Sequence, residues 1–134
     1  MRRVLLVEDH PLNRKLFRDI LSFEFEVLEA ESAETARTLL RDGVPALILM
    51  DVQLPGIDGL TFVRELKADP RLTAVPVVAV SAHAMPHNIE AARQAGCVEY
   101  ITKPITDDPF VFLERLKRVV DGHGGEAAGA GKRP

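Results

Sequence analysis

Cysteine is scarce in this chain of 134 residues, which has a single cysteine, Cys97. One cysteine cannot form an intramolecular disulfide bond, and it cannot supply the thiolate cluster of a structural zinc site. The sequence therefore favours a reducing compartment, and we expect Cys97 to pack as a small apolar residue.

An excess of positive charge is also missing. The chain has 17 Lys and Arg residues against 20 Asp and Glu residues, which gives a formal net charge of -3. This balance supplies no basic field for the phosphate backbone of a nucleic acid. Nucleic acid is therefore not an expected partner.

No apolar run in the sequence is long enough to enter a membrane. The run at residues 4–7 ends at the acidic pair Glu8-Asp9, too early for a signal-peptide core or a membrane span. We therefore expect a cytoplasmic protein without a membrane partner. The chain is nevertheless 46% hydrophobic, which is enough for one globular domain with a buried core.

Short apolar runs alternate with segments of helical periodicity. Four runs are nearly continuous in Val, Ile and Leu, which is typical of buried parallel strands, and a fifth alternates as an edge strand does. These runs are residues 4–7, 46–50, 75–80 and 98–101, with 26–30 as the edge strand. Strand and helix alternating five times predict a doubly wound α/β fold, a parallel sheet with helices on both faces.

Residues with strong local preferences agree with this division. Ser32 and Asp58 are good N-cap types for the second and third helices, and Gly56 and Gly59 are typical of turns. We predict that the domain spans residues 1–121. Residues 122–134 contain no large side chain to bury, so we expect a disordered tail there.

Charged and hydroxyl-bearing residues follow the predicted strands at their carboxyl ends, where ligands bind in open parallel sheets. They are Glu8 and Asp9 after the first strand, Asp51 after the third, Ser81 after the fourth and Lys103 after the fifth. Three carboxylates at one edge repel one another unless a cation lies among them. A hard divalent ion such as Mg²⁺, which prefers oxygen ligands, is the natural neutralising ion.

The lysine and the hydroxyl predict what this edge of the sheet does chemically. A positive charge and a hydrogen-bond donor beside a metal-bound carboxylate could hold the oxygens of a phosphoryl group carried by that carboxylate. The residues therefore indicate formation of an acyl phosphate.

Taken in order, these motifs resemble the receiver domain of two-component response regulators. The resemblance covers about residues 3–120 and is carried by Glu8-Asp9, by Met50-Asp51-Val52-Gln53-Leu54-Pro55-Gly56, by Ser81-Ala82 and by Lys103-Pro104. It implies a flavodoxin-like (βα)5 sheet with strand order 2-1-3-4-5. The stretches 13–17, 48–55 and 96–101 look most like division-control receivers (DivK type), and they also resemble receivers fused to hybrid histidine kinases.

The resemblance implies a role for each acidic residue. Asp51 would be the phosphoacceptor. The side chains of Glu8, Asp9 and Asp51 would bind Mg²⁺, with the backbone carbonyl of Gln53 as a further ligand. The chain departs from the family pattern in having Glu8 at the first acidic position, His10, and Ser81 instead of the commoner Thr. None of these departures removes a required charge or hydroxyl.

The resemblance also implies how phosphorylation is sensed. Ser81 and Lys103 would contact the phosphoryl oxygens, and a cis Lys103-Pro104 bond would be present. Ser81 and Tyr100 would form a switch pair that alters the readout surface, residues 86–120.

We therefore expect a single-domain response regulator whose own residues catalyse its phosphorylation and dephosphorylation. Its phosphoryl donor would be a sensor or hybrid histidine kinase or a histidine phosphotransfer protein, and it would signal to a downstream protein target.

Three alternatives stay open on the residues alone. A receiver-like interaction module could act without phosphate. A Mg²⁺-dependent phosphohydrolase typically carries a second Asp two residues after the nucleophile, where this chain has Gln53. A flavin- or nucleotide-binding domain is disfavoured because Glu8-Asp9 would repel a phosphate after the first strand.

Overall fold

A computed structural model describes residues 1–105 and 107–128 of the chain. Five strands alternate with five helices, which confirms the order predicted from the apolar runs. The elements are β1 (Arg3–Val7), α1 (Pro11–Leu21), β2 (Glu26–Ala30), α2 (Ala33–Asp42), β3 (Leu47–Asp51), α3 (Gly59–Ala68), β4 (Val77–Ser81), α4 (Pro86–Ala95), β5 (Glu99–Thr102) and α5 (Pro109–Ala128).

The five strands form one parallel sheet in the order β2-β1-β3-β4-β5. This confirms the doubly wound α/β class and the strand order that the family resemblance implied. All residues of β3 and β4 are buried, as their continuous apolar sequences predict. β2 lies at one edge and is only partly buried, in agreement with its alternating sequence.

The core is divided by the sheet into two apolar clusters. Successive residues of β1 point to opposite faces, so that Leu5 belongs to one cluster and Leu6 to the other. The first cluster includes residues of α2, α3 and α4, such as Phe62, and the second includes residues of α1 and α5, such as Phe112. The helices therefore cover both faces, as predicted.

Two helices begin at the capping residues that the sequence indicated. The Ser32 side chain accepts a hydrogen bond from the backbone N–H of Thr35, and the Asp58 side chain accepts one from Thr61. These caps satisfy backbone donors that an uncapped helix would leave without partners.

The last described residues of the chain belong to helix α5. Helix α5 continues through residues 122–128, where we expected the beginning of a disordered tail. A helix that has already formed gains one hydrogen bond with each added residue, and no proline follows Pro109 before Pro134. Residues 129–134 of the predicted tail lie outside the described residues, so the domain boundary at residue 121 stays a prediction. None of the described helices is both long and apolar enough to cross a membrane.

Candidate functional site

Side chains from three strand ends meet at the carboxyl edge of the sheet. The Lys103 ammonium group donates to Glu8 Oε1 at 3.0 Å and to Asp51 Oδ2 at 2.7 Å. One carboxylate oxygen from each of Glu8, Asp9 and Asp51 lies within 4.8 Å of the other two. The structure thus brings together four residues from three segments that are far apart in the sequence.

Asp51 is the last residue of β3, and its side chain is 5% exposed. Its Oδ1 accepts a hydrogen bond from the backbone N–H of Gln53 at 2.8 Å, while Oδ2 accepts from Lys103. Each carboxylate oxygen therefore has a donor. The same contact draws the loop at Gln53 against the Asp51 side chain.

Glu8 extends the pairing of β1 with β2, because its backbone N–H donates to the carbonyl of Ala30 at 2.9 Å. Burial raises the pKa of Glu8, and hydrogen bonds from the His10 backbone N–H and from Lys103 offset only part of that effect. A divalent cation beside this carboxylate would favour its ionised form.

Lys103 follows β5 and precedes a cis peptide bond to Pro104, as the family resemblance implied. Burial by itself would lower the pKa of Lys103, but the hydrogen bonds to Asp51 and Glu8 raise it overall. The ammonium group is therefore charged at neutral pH. Its backbone N–H donates to the carbonyl of Ser81 at 2.8 Å, which ties the loop after β5 to the end of β4.

Ser81 and Tyr100 are connected through the backbone of His83, to which each side chain is hydrogen-bonded. The fully buried Ser81 hydroxyl accepts from the His83 backbone N–H at 3.1 Å, and the Tyr100 hydroxyl donates to the His83 carbonyl at 2.6 Å. A cavity of about 240 Å³ lies beside this link. Its lining includes Gln53, Ser81, His83, His87 and Tyr100.

Sequence reasoning missed two sets of contacts in this region. The His83 backbone connects Ser81 with Tyr100, and no side-chain motif reveals a backbone contact. Arg14 donates from α1 to the backbone carbonyls of Glu8 and Asp9. Its place four residues after His10, the N-cap of α1, was the available signal, since helical spacing turns residues at i and i+4 to one side.

The donor set fits a hard divalent cation. Glu8, Asp9 and Asp51 offer carboxylate oxygens, the ligand type that Mg²⁺ prefers, and no sulfur or imidazole ligand belongs to the cluster. Asp9 is exposed whereas the other two are buried, so the cluster is accessible to water on one side. This suits Mg²⁺, which keeps several water ligands.

The chain matches a known family over most of its length. Residues 4–115 match the model of the response regulator receiver domain. Over 111 residues the chain is 44% identical to the polar-differentiation response regulator DivK of Brucella ovis, covering 82% of this chain and 90% of that protein. The DivK protein of Brucella anthropi is 43% identical over the same length.

Solved structures agree with the fold and with the family. The receiver domain of a sensor histidine kinase from Pseudomonas aeruginosa has a magnesium ion coordinated in its active-site cleft. It is 30% identical, with a TM-score of 0.79 over 89% of this chain and 97% of that chain. A CheY-like receiver domain protein of Methanospirillum hungatei is 25% identical, with a TM-score of 0.83 over 94% and 98% of the two chains.

Proposed function

This chain belongs to the response regulator receiver domain family. We therefore propose that Asp51 is its phosphoacceptor, the residue that receives the phosphoryl group. Receiver domains are phosphorylated by histidine kinases and interact with downstream targets. The donor here would be a phosphohistidine of a sensor or hybrid histidine kinase, or of a histidine phosphotransfer protein. A cytoplasmic location remains a prediction of the sequence.

The observation that carries this proposal is the bridge from Lys103 to both Asp51 and Glu8. A carboxylate oxygen of Asp51 would attack phosphorus while the bond from phosphorus to the donor imidazole nitrogen breaks. The nitrogen keeps the electron pair, and Asp51 becomes an acyl phosphate. The Lys103 charge and the Ser81 hydroxyl would then bind the phosphoryl oxygens, since such transfer depends on positioning and electrostatics.

The acidic cluster supports a magnesium requirement. The carboxylates of Glu8, Asp9 and Asp51, with the backbone carbonyl of Gln53, would hold Mg²⁺. The bound ion would supply positive charge to the phosphoryl oxygens. Without that charge, the approach of a phosphoryl group to three carboxylates would be repulsive.

The contacts of His83 support a route for the signal. A Ser81 hydroxyl that turns to the phosphoryl group would give up the His83 N–H, and the segment that holds the Tyr100 hydroxyl would move with it. Phosphorylation would thereby shift an existing equilibrium at the readout surface, residues 86–120. α4 lies in that surface, and its only buried residues are Ala92 and Ala95.

Intact mass measurement tests the chemistry directly. The protein is incubated with acetyl phosphate or phosphoramidate, with Mg²⁺ and with EDTA, as wild type, as Asp51→Asn and as Asp58→Asn. Asp58→Asn is a matched control, because it also neutralises a carboxylate of this region while asparagine still caps α3. We expect one Mg²⁺-dependent phosphoryl group on the wild type and on Asp58→Asn, and none on Asp51→Asn.

Three outcomes would overturn the proposal. Full phosphorylation of Asp51→Asn would place the modification on another residue. No phosphorylation of a folded wild type that binds Mg²⁺ would favour the phosphate-independent interaction module. Repeated turnover of small phosphate esters would instead favour the phosphohydrolase.

A further inference from the structure

The loop between β1 and α1 carries Glu8 and Asp9, and Arg14 holds its backbone. Arg14 Nη1 donates to the carbonyl oxygen of Glu8 at 3.0 Å and to that of Asp9 at 3.4 Å. The helix start adds no side-chain restraint, because His10 at the N-cap makes no capping hydrogen bond. One guanidinium group therefore fixes two successive peptide planes.

Of the two acidic side chains in this loop, Asp9 depends more on the backbone. The Glu8 carboxylate has its own partners in Lys103 and the His10 N–H. For the Asp9 carboxylate, the described part of the chain shows no hydrogen bond and no ion pair. The direction of this side chain is consequently set by the peptide planes on either side of it.

Arg14 is itself anchored to the sheet. Its Nε lies 3.4 Å from Glu29 Oε1, and the side chains of Arg14 and Glu29 are only 24% and 29% exposed. Glu29 belongs to β2, where it pairs in register with Leu6 of β1. The restraint on the loop thus comes from β2, the strand that neighbours β1.

We propose that Arg14 is a positioning residue for the metal site: it connects β2 to the β1–α1 loop and thereby holds the Asp9 carboxylate toward those of Glu8 and Asp51. This inference rests on the proposed function, since it assumes that these carboxylates bind Mg²⁺. Arg14 touches the backbone of the ligand residues and none of their carboxylates.

The charge of Arg14 and its hydrogen bonds act on Mg²⁺ affinity in opposite directions. A positive charge near the site repels Mg²⁺, so its removal would tighten binding if charge alone mattered. Loss of the two carbonyl contacts frees the loop, so it would weaken binding. The sign of the change therefore separates positioning from electrostatics.

Arg18 offers a matched control one turn later on α1. Its Nη1 lies 3.2 Å from both carboxylate oxygens of Glu29, but it makes no hydrogen bond to the loop. Arg18→Gln and Arg14→Gln each remove one positive charge and one partner of the same glutamate. Only Arg14→Gln removes the contacts to the loop carbonyls.

The test is a Mg²⁺ titration of the full chain by calorimetry, with backbone amide NMR shifts of Glu8 and Asp9 as a second readout. We expect about tenfold weaker Mg²⁺ binding in Arg14→Gln and in Arg14→Lys, the loss typical of removing a partner that orients ligands. Lysine keeps the positive charge, but it lacks the planar guanidinium group that contacts the two carbonyls and Glu29 at the same time. Arg18→Gln should bind Mg²⁺ at least as tightly as the wild type.

Several results would overturn the inference. Wild-type or tighter Mg²⁺ binding in Arg14→Gln would show that its contacts to the loop carbonyls do not position the site. Wild-type binding in Arg14→Lys would exclude a need for the guanidinium group. Glu29→Gln replaces an Arg14 variant that does not fold, because it keeps the charge of Arg14 and weakens its anchor. This variant must then bind Mg²⁺ more weakly than the wild type for the inference to stand. A wild type that binds no Mg²⁺ would refute both this inference and the metal site of the proposed function. If the wild type binds Mg²⁺ and the Arg14 variants bind it with the same affinity, only this inference is refuted.

Discussion

Cys97 shows at the scale of one residue how burial sets chemistry. Its side chain belongs to the apolar cluster that includes residues of α2, α3 and α4, in agreement with the apolar role expected from the sequence. Burial raises the pKa of its thiol to about 11, and the nearby Lys67 charge offsets only part of that rise. At neutral pH Cys97 is therefore a neutral, poorly reactive thiol.

This gives a prediction for alkaline pH. The thiol's contribution to folding stability is fully present below its unfolded value of 9.0 and is lost as pH rises toward about 11. We expect the alkylation rate of Cys97 with iodoacetamide to stay low at pH 8 and to increase up to about pH 11, with a parallel fall in the free energy of unfolding. Cys97→Ser at the same pH values controls for other groups, and a reaction midpoint at the free-thiol value would contradict the prediction.

At the scale of elements, α3 approaches the loop after β3 so closely that only glycine fits. Gly59 begins α3, and a Cβ atom there would lie 2.4 Å from the Val52 carbonyl oxygen. The Gly59 N–H donates to that same oxygen at 3.1 Å. This contact holds α3 against the loop that connects Asp51 with Gln53. Gly59 is thus required for packing, whereas Gly56, at a φ of 82°, is the turn former that the sequence predicts.

Gly59→Ala should therefore disturb both stability and the site. We expect the free energy of unfolding to fall by about 2 kcal/mol, because the new methyl group meets backbone that cannot rotate away. Phosphorylation from acetyl phosphate should slow as the loop shifts. Gly56→Ala is the control, because no atom lies within 4 Å of the new Cβ. It should lose stability only through the strain of alanine at a positive φ. Equal chemical denaturation curves for Gly59→Ala and wild type would refute the close-packing argument.

At the scale of the whole molecule, one cluster of charges joins the ends of three strands. Lys103 pairs with Glu8 across 95 positions of the chain and with Asp51 across 52. Its side chain is 17% exposed, and the two carboxylates are 2% and 5% exposed. Removing one partner of such a buried pair leaves charge without compensation, which is the costly case.

Lys103→Met should accordingly make the stability of the protein depend on Mg²⁺. In EDTA we expect the variant to lose about 3 kcal/mol of unfolding free energy, because Glu8 and Asp51 then face each other without a cation. Mg²⁺ at about 100 times its Kd adds about 2.7 kcal/mol to the free energy of unfolding. The variant should be saturated at a lower Mg²⁺ concentration than the wild type, because no ammonium group competes for its carboxylates. Thermal and urea unfolding with and without Mg²⁺ measure this.

Lys15→Met is the matched control for that experiment, since its ammonium pairs with Asp19 at the exposed surface. Such a pair contributes little, and its loss should leave the stability nearly unchanged in both buffers. A Mg²⁺ response of Lys103→Met identical to that of Lys15→Met would mean that Lys103 does not balance the carboxylates.

The sequence was sufficient for the fold class and for the residues at the strand ends. Periodicity and composition identify strands and helices, and parallel strands bring their carboxyl ends to one edge whatever the loops do. Glu8, Asp51 and Lys103 could therefore be placed together before any distance was known. Their order along the chain then led to the receiver family.

Only the tertiary structure decided which contacts hold these residues in place. The hydrogen bonds of Arg14 to two loop carbonyls, the meeting of Ser81 and Tyr100 at the His83 backbone, and the packing of Gly59 on Val52 all depend on the path of a loop. Apolar periodicity describes which face of an element is buried, but it carries no information about backbone groups between elements. The sequence by itself thus determined the fold and which residues lie at the edge of the sheet. Only the folded chain determined how these residues are positioned, because positioning arises from distances between segments that are remote in sequence.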